Sequence, residues 1–120
     1  MQDRLNKLGA VSVVLGCCSF IAGVLGCAAP IVCFAFIWPD EEPTSPGAVG
    51  DFEFSVIAGF LLLMTSFGMA GAGVGLAIAE NRINSSPSTF STVGLFLNGG
   101  LLVLHVLLAL VLMVWSAAEL

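Results

Sequence analysis

Residues 8–38 read LGAVSVVLGCCSFIAGVLGCAAPIVCFAFIW and contain no Asp, Glu, Lys, Arg or His. A charge-free run of this length is longer than a soluble core helix carries and matches a helix that lies in a bilayer. Its small residues recur at heptad spacing. Gly9, Ser12, Gly16, Ser19, Gly23 and Gly26 fall on a and d positions and form one stripe along the helix. In lipid no hydrophobic gain draws two helices together, so such a stripe lets a second backbone approach closely enough for dispersion contacts to hold it. The other apolar spans of the chain are expected to pack there.

Composition agrees with this reading. The 120 residues are 58% hydrophobic and 9% charged, with mean hydropathy +1.08, which is too apolar for a soluble domain and too short for more than one domain. Arg4, Lys7 and Arg82 are the only basic residues apart from His105, so the electrostatic footprint of a nucleic-acid binder is missing. The expectation is an all-α protein, a single integral-membrane domain over 1–120, with three transmembrane helices packed through Gly, Ser and Ala seams.

The first span is placed at about 8–38. Its basic residues Arg4 and Lys7 precede an apolar run longer than the roughly 7–15 residues of a signal-peptide core, so it reads as a signal-anchor helix. Pro30 is expected to kink its far end, and Trp38 suits the headgroup level. Residues 39–53 hold Pro39, Pro43, Pro46, Gly47 and Gly50 together with Asp40, Glu41, Glu42, Asp51 and Glu53, and read as an exposed acidic loop. The second span is placed at about 54–79, with Asp51 as its N-cap and a close-packing end made by Gly68, Gly71 and Gly75. Ser86 and Pro87 provide the N-cap and first position of a third span at about 88–118, on which Gly94, Asn98 and His105 lie close to one face. All three Lys and Arg residues fall on one side of this arrangement. The N-terminus and the turn from Glu80 to Ser86 are therefore expected in the cytoplasm, with the acidic loop and the C-terminus outside.

His105 is the chain's single histidine and lies near the middle of the third span, where an ionisable residue is a functional candidate. Ser19, Thr65 and Ser66 come to the same depth, so a midplane polar cluster of Ser19, Thr65, Ser66, Asn98 and His105 is expected, with a neutral imidazole bonded to a hydroxyl or carbonyl. Cys17, Cys18, Cys27 and Cys33 form no Cys-x-x-Cys pair and read as small buried hydrophobes rather than as metal ligands. No metal site is expected. The acidic residues between 39 and 53 read as solvated charge.

The segment Gly75-Leu-Ala-Ile-Ala79, the basic turn after it and the stretch Val93-Gly-Leu-Phe-Leu-Asn-Gly99 resemble the glycine-rich hairpins of uncharacterised small bacterial multi-pass membrane proteins. The run from Leu8 to Gly16 is similar to their opening helix. About half the chain takes part in the resemblance, which implies a bacterial inner-membrane location and no activity. The long acidic segment and His105 depart from the pattern.

With no soluble segment beyond short loops, a catalytic site would have to sit in or on the bilayer, which points away from an enzyme. The leading expectation is a non-catalytic subunit or assembly factor of a larger membrane complex, whose partners are other integral-membrane subunits and the lipid bilayer. A homo-oligomeric pore of the holin or small-channel type is the alternative, though its polar residues are sparse for a water-filled path. The third reading is a tetrapyrrole-binding subunit in which His105 ligates haem or a chlorophyll-type pigment; otherwise no cofactor is expected.

Overall fold

A computed structural model describes residues 2–36, 46–86 and 88–119. They form three helices, α1 (Gln2–Phe36), α2 (Pro46–Ile83) and α3 (Thr89–Ala118). Each is long and apolar enough to cross a membrane, over Lys7–Val32, Gly50–Ile83 and Thr89–Ala118. At about 1.5 Å per residue, helices of 35, 38 and 30 residues all exceed the roughly 30 Å of a hydrocarbon core.

The distribution of side chains is the reverse of a water-soluble protein's. Ser12, Ser19, Ser66, Glu80, Ser91 and Asn98 are fully buried, whereas Phe96, Val114 and Trp115 are 77%, 70% and 66% exposed. In water this would leave large apolar faces unpaid by any burial; in lipid it is the stable arrangement, because apolar side chains face hydrocarbon and polar groups bond one another. The chain is a multi-pass integral membrane protein on these grounds.

Two compact units make up the chain. Unit 1 comprises Met1–Ser19 with Phe67–Leu120, and unit 2 comprises Phe20–Ser66. In unit 1, Gly9 meets Glu80 and Ser91, and Ser12 meets Gly73 and Asn98. Advancing along α1 therefore means moving back along α2 and forward along α3. The buried positions recur at 3 and 4 residues on each helix: Gly9, Ser12, Gly16 and Ser19 on α1; Ala70, Gly73, Ala77 and Glu80 on α2; Ser91, Gly94, Asn98 and Leu101 on α3. This is the spacing of left-handed helix packing.

Unit 2 is held by a reciprocal glycine contact. A Cβ on Gly59 would lie 2.6 Å from the Gly26 carbonyl oxygen, and one on Gly26 would lie 2.9 Å from the Gly59 carbonyl oxygen. Pro30 lies inside α1 and has no N–H to give the carbonyl four residues earlier, which is that of Gly26. The backbone of Gly59 fills the space beside that carbonyl. Gly59 also packs on the Pro30 ring, its Cβ position being 3.3 Å from Cδ.

Several helix boundaries differ from the sequence reading. α2 starts at Pro46 instead of near residue 54, so 46–53 is helix and not loop. Proline is tolerated at a first helical position, where its missing N–H has no helical partner in any case, and Asp51 lies inside the helix as an exposed residue, not as its cap. At its other end α2 runs on through Glu80 to Ile83, which shortens the expected turn. α3 is capped by Ser88, not Ser86: the Ser88 hydroxyl accepts from the Ser91 N–H. Pro87, Trp38 and the acidic residues Asp40, Glu41 and Glu42 lie outside the described residues.

Candidate functional site

The polar core of unit 1 consists of two layers separated by two helical turns on α2 and on α3. In the first, the Ser12 hydroxyl donates to the Gly73 carbonyl at 2.8 Å. The Asn98 amide nitrogen donates to the Ser12 carbonyl at 2.9 Å and to the Gly94 carbonyl at 2.7 Å, with the Ser12 hydroxyl at 3.3 Å. Two amide hydrogens serve the two carbonyls, and the longer contact shares one of them. One asparagine thereby ties α3 to α1, and one serine ties α1 to α2.

Glycine makes this geometry possible at two points. A Cβ on Gly73 would stand 2.4 Å from both Cγ and Oδ1 of Asn98, and one on Gly94 would stand 2.4 Å from the Ser12 hydroxyl oxygen. Oδ1 of Asn98 is buried without a conventional hydrogen-bond partner among the described residues. The Gly73 Cα hydrogen points where that Cβ would be, so it faces the amide in the manner of the weak Cα–H···O contacts that recur between close helices.

The second layer is built the same way around Glu80, the one charged residue in the fully buried set among the described residues. Its Oε1 accepts a hydrogen bond from the Ser88 hydroxyl, and Ser88 in turn accepts from the Ser91 N–H at 3.1 Å. The carboxyl group is thus placed at the N-terminus of α3, beside its Ser88 cap. Among the described residues Oε2 has no hydrogen-bond partner, and it faces Gly9, where a Cβ would lie 2.5 Å from it. Beside it the Ser91 hydroxyl has two acceptors within reach, the Ala77 carbonyl at 3.0 Å and Asn81 Oδ1 at 2.7 Å. A hydroxyl has one hydrogen to give, so oxygen acceptors outnumber donors here.

The expected site residues are distributed unevenly over this core. Gly9, Ser12, Gly16, Ser19, Gly26 and Gly94 are buried, and Gly23 is half-buried. Gly16 seats Leu97, a Cβ there being 2.6 Å from the leucine Cδ2. Gly68, Gly71 and Gly75 are exposed, and a Cβ on any of them would meet nothing within 4 Å; the intramolecular seam of α2 lies instead on the Ala70, Gly73, Ala77 and Glu80 side. Thr65 is exposed and donates to the Leu61 carbonyl of its own helix at 2.8 Å, so it takes no place in a midplane cluster. Ser66 is fully buried.

His105 is half-buried. Its Nδ1 is 2.6 Å from the Leu101 carbonyl oxygen one turn back, and because a carbonyl can only accept, Nδ1 donates in this contact. The ring stands edge-on to Phe67 at a centroid distance of 6.0 Å. Cys17, Cys18 and Cys27 are exposed, not buried as expected from their apolar character, and Cys33 is buried; thiols are compatible with the lipid face. Among the described residues no three His, Cys, Asp or Glu side chains come together as a metal-binding group.

Glu80 is the site residue that the sequence reading missed, because Glu80, Asn81 and Arg82 together look like the start of a polar turn. The signal that locates it is the spacing of seven that links Ser66, Gly73 and Glu80. Comparison of the chain with protein-family models, with curated proteins and with solved structures finds no match.

Proposed function

We propose that this chain is a non-catalytic subunit or assembly factor of a larger membrane protein complex, held in a bacterial cytoplasmic membrane with its N-terminus inside. The observation that carries the reading is a second set of glycines against which no described residue packs. Gly68, Gly71 and Gly75 follow one another at 3 and 4 residues on the exposed side of α2, with open space where a Cβ would be. Glycine in a helix interior costs about 1 kcal/mol relative to alanine, and among the described residues none packs at these positions to offset that cost. A helix of another subunit seated on them would, since close backbone approach is what small residues provide in lipid. The inside placement of the N-terminus rests on Arg4, Lys7 and Arg82, the chain's complete set of Lys and Arg.

Extraction in a mild detergent followed by sizing and mass spectrometry of the intact particle tests the proposal. A particle containing at least one further integral-membrane protein in fixed ratio is expected. A lone 12.4 kDa chain would refute it, and a homo-oligomer that dissipates the membrane potential on induced expression would replace it with the pore reading.

A further inference from the structure

We propose that the oxygen cluster around Glu80 is a binding site for a small monovalent metal cation of the Na⁺ class. The donor set consists of the Glu80 carboxylate, Asn81 Oδ1 and the hydroxyls of Ser88 and Ser91, linked to one another through the contacts Ser88 to Glu80, Ser91 to Asn81 and Ser91 N to Ser88. All are hard oxygen ligands of the kind that hold alkali and alkaline-earth ions. The Ser88 hydroxyl is committed to Oε1 and the Ser91 hydroxyl to Asn81 Oδ1 and the Ala77 carbonyl, so neither hydroxyl hydrogen serves Oε2, which is buried and among the described residues has no hydrogen-bond partner.

Among the described residues no Lys, Arg or His is hydrogen-bonded to Oε2 of Glu80. On α1 the charged residues nearest in sequence to Gly9 are Asp3, Arg4 and Lys7, and on α2 the nearest to Glu80 is Arg82; all are exposed. The part of α3 that packs here, Thr89–Leu101, carries no charged residue. A single carboxylate in a low-dielectric setting is neutralised by a single positive charge, whereas a divalent ion would leave an excess that nothing in the cluster balances. The monovalent class follows from that count. Access is short, since Asn81 and Ser88 are half-buried and Ser85 and Ser86 in the adjoining turn are exposed.

The test uses the full-length protein in detergent or nanodiscs at fixed pH, with NaCl exchanged for choline chloride at constant ionic strength. Binding to the folded state alone raises the unfolding midpoint as ligand is added, so the midpoint is expected to climb with Na⁺ and to level off. Glu80→Gln, nearly isosteric, should abolish the response. Asn81→Ala, which leaves the carboxylate and the Ser88 cap in place, should raise the half-saturating Na⁺ concentration by roughly tenfold, the loss of one ligand. A midpoint indifferent to the exchange of Na⁺ for choline would overturn the proposal, even if Glu80→Gln failed to fold. So would an Asn81→Ala variant titrating like the parent chain, or a midpoint that moved with pH but not with Na⁺, which would assign the site to a proton. Because the readout is the chain's own stability, failure here leaves the partner reading untouched.

Discussion

A Cβ on Gly73 would overlap three atoms of Asn98, at 2.4 to 2.5 Å, and the amide has no direction in which to retreat without breaking its bonds to Ser12 and Gly94. Gly73→Ala is therefore expected to destabilise the chain by about 1–3 kcal/mol, the usual cost of overpacking a close contact, measured as a lower midpoint on denaturation in detergent. Asn98→Leu removes the same bonds by another route and should cost about 0.6–1.7 kcal/mol, the range for a membrane hydrogen bond. Combined with Ser12→Ala it should cost less than the sum of the two single changes, since both remove part of one network. Gly9 is constrained in a similar way, since a Cβ there would lie 2.5 Å from Oε2 of Glu80 on the neighbouring helix.

At the level of the helix, each of the three spans has a small or polar residue every three or four positions, and how well the sequence revealed this varied. On α1 the spacing of Gly9, Ser12, Gly16 and Ser19 is uninterrupted and marks the buried side directly. On α2 glycine abundance outweighed spacing. Gly68, Gly71 and Gly75 attract attention as a small-residue pair and its neighbour, but the intramolecular face is Ala70, Gly73, Ala77 and Glu80, a quarter-turn or more away. Alanine is ordinary in any helix and glutamate looks like a turn, so that face has little contrast in the sequence. The start of α2 was hidden for a related reason: proline and glycine mark loops on average, yet a proline at the first helical position is compatible with the helix that follows. The two kinds of glycine separate by experiment. Gly59→Ala places a Cβ 2.6 Å from a backbone oxygen of Gly26, which cannot swing aside as a side chain can, and should lower stability by about 1–3 kcal/mol. Gly75→Ala, with open space around it, should raise the stability of the isolated chain by up to about 1 kcal/mol.

The whole molecule places polar groups inside and large apolar groups outside, and its fold class and span count were legible because hydrophobic length is a coarse signal that survives errors of several residues at each boundary. Its candidate site was only partly legible. Pairing between helices is decided by which of several small-residue stripes meets which, and that depends on the third dimension. Gly73 and Gly94 close the helices on one another, and Gly68, Gly71 and Gly75 are proposed to receive a neighbouring subunit. The most direct measurement compares Gly73→Leu with Gly71→Leu in the native membrane, following both the folded fraction of the chain and the size of the particle extracted in mild detergent. Gly73→Leu is expected to deplete the folded chain, while Gly71→Leu is expected to leave it folded but released from its proposed partner as a smaller particle. An unchanged particle size in Gly71→Leu, with the chain folded and its companions still bound, would contradict this expectation.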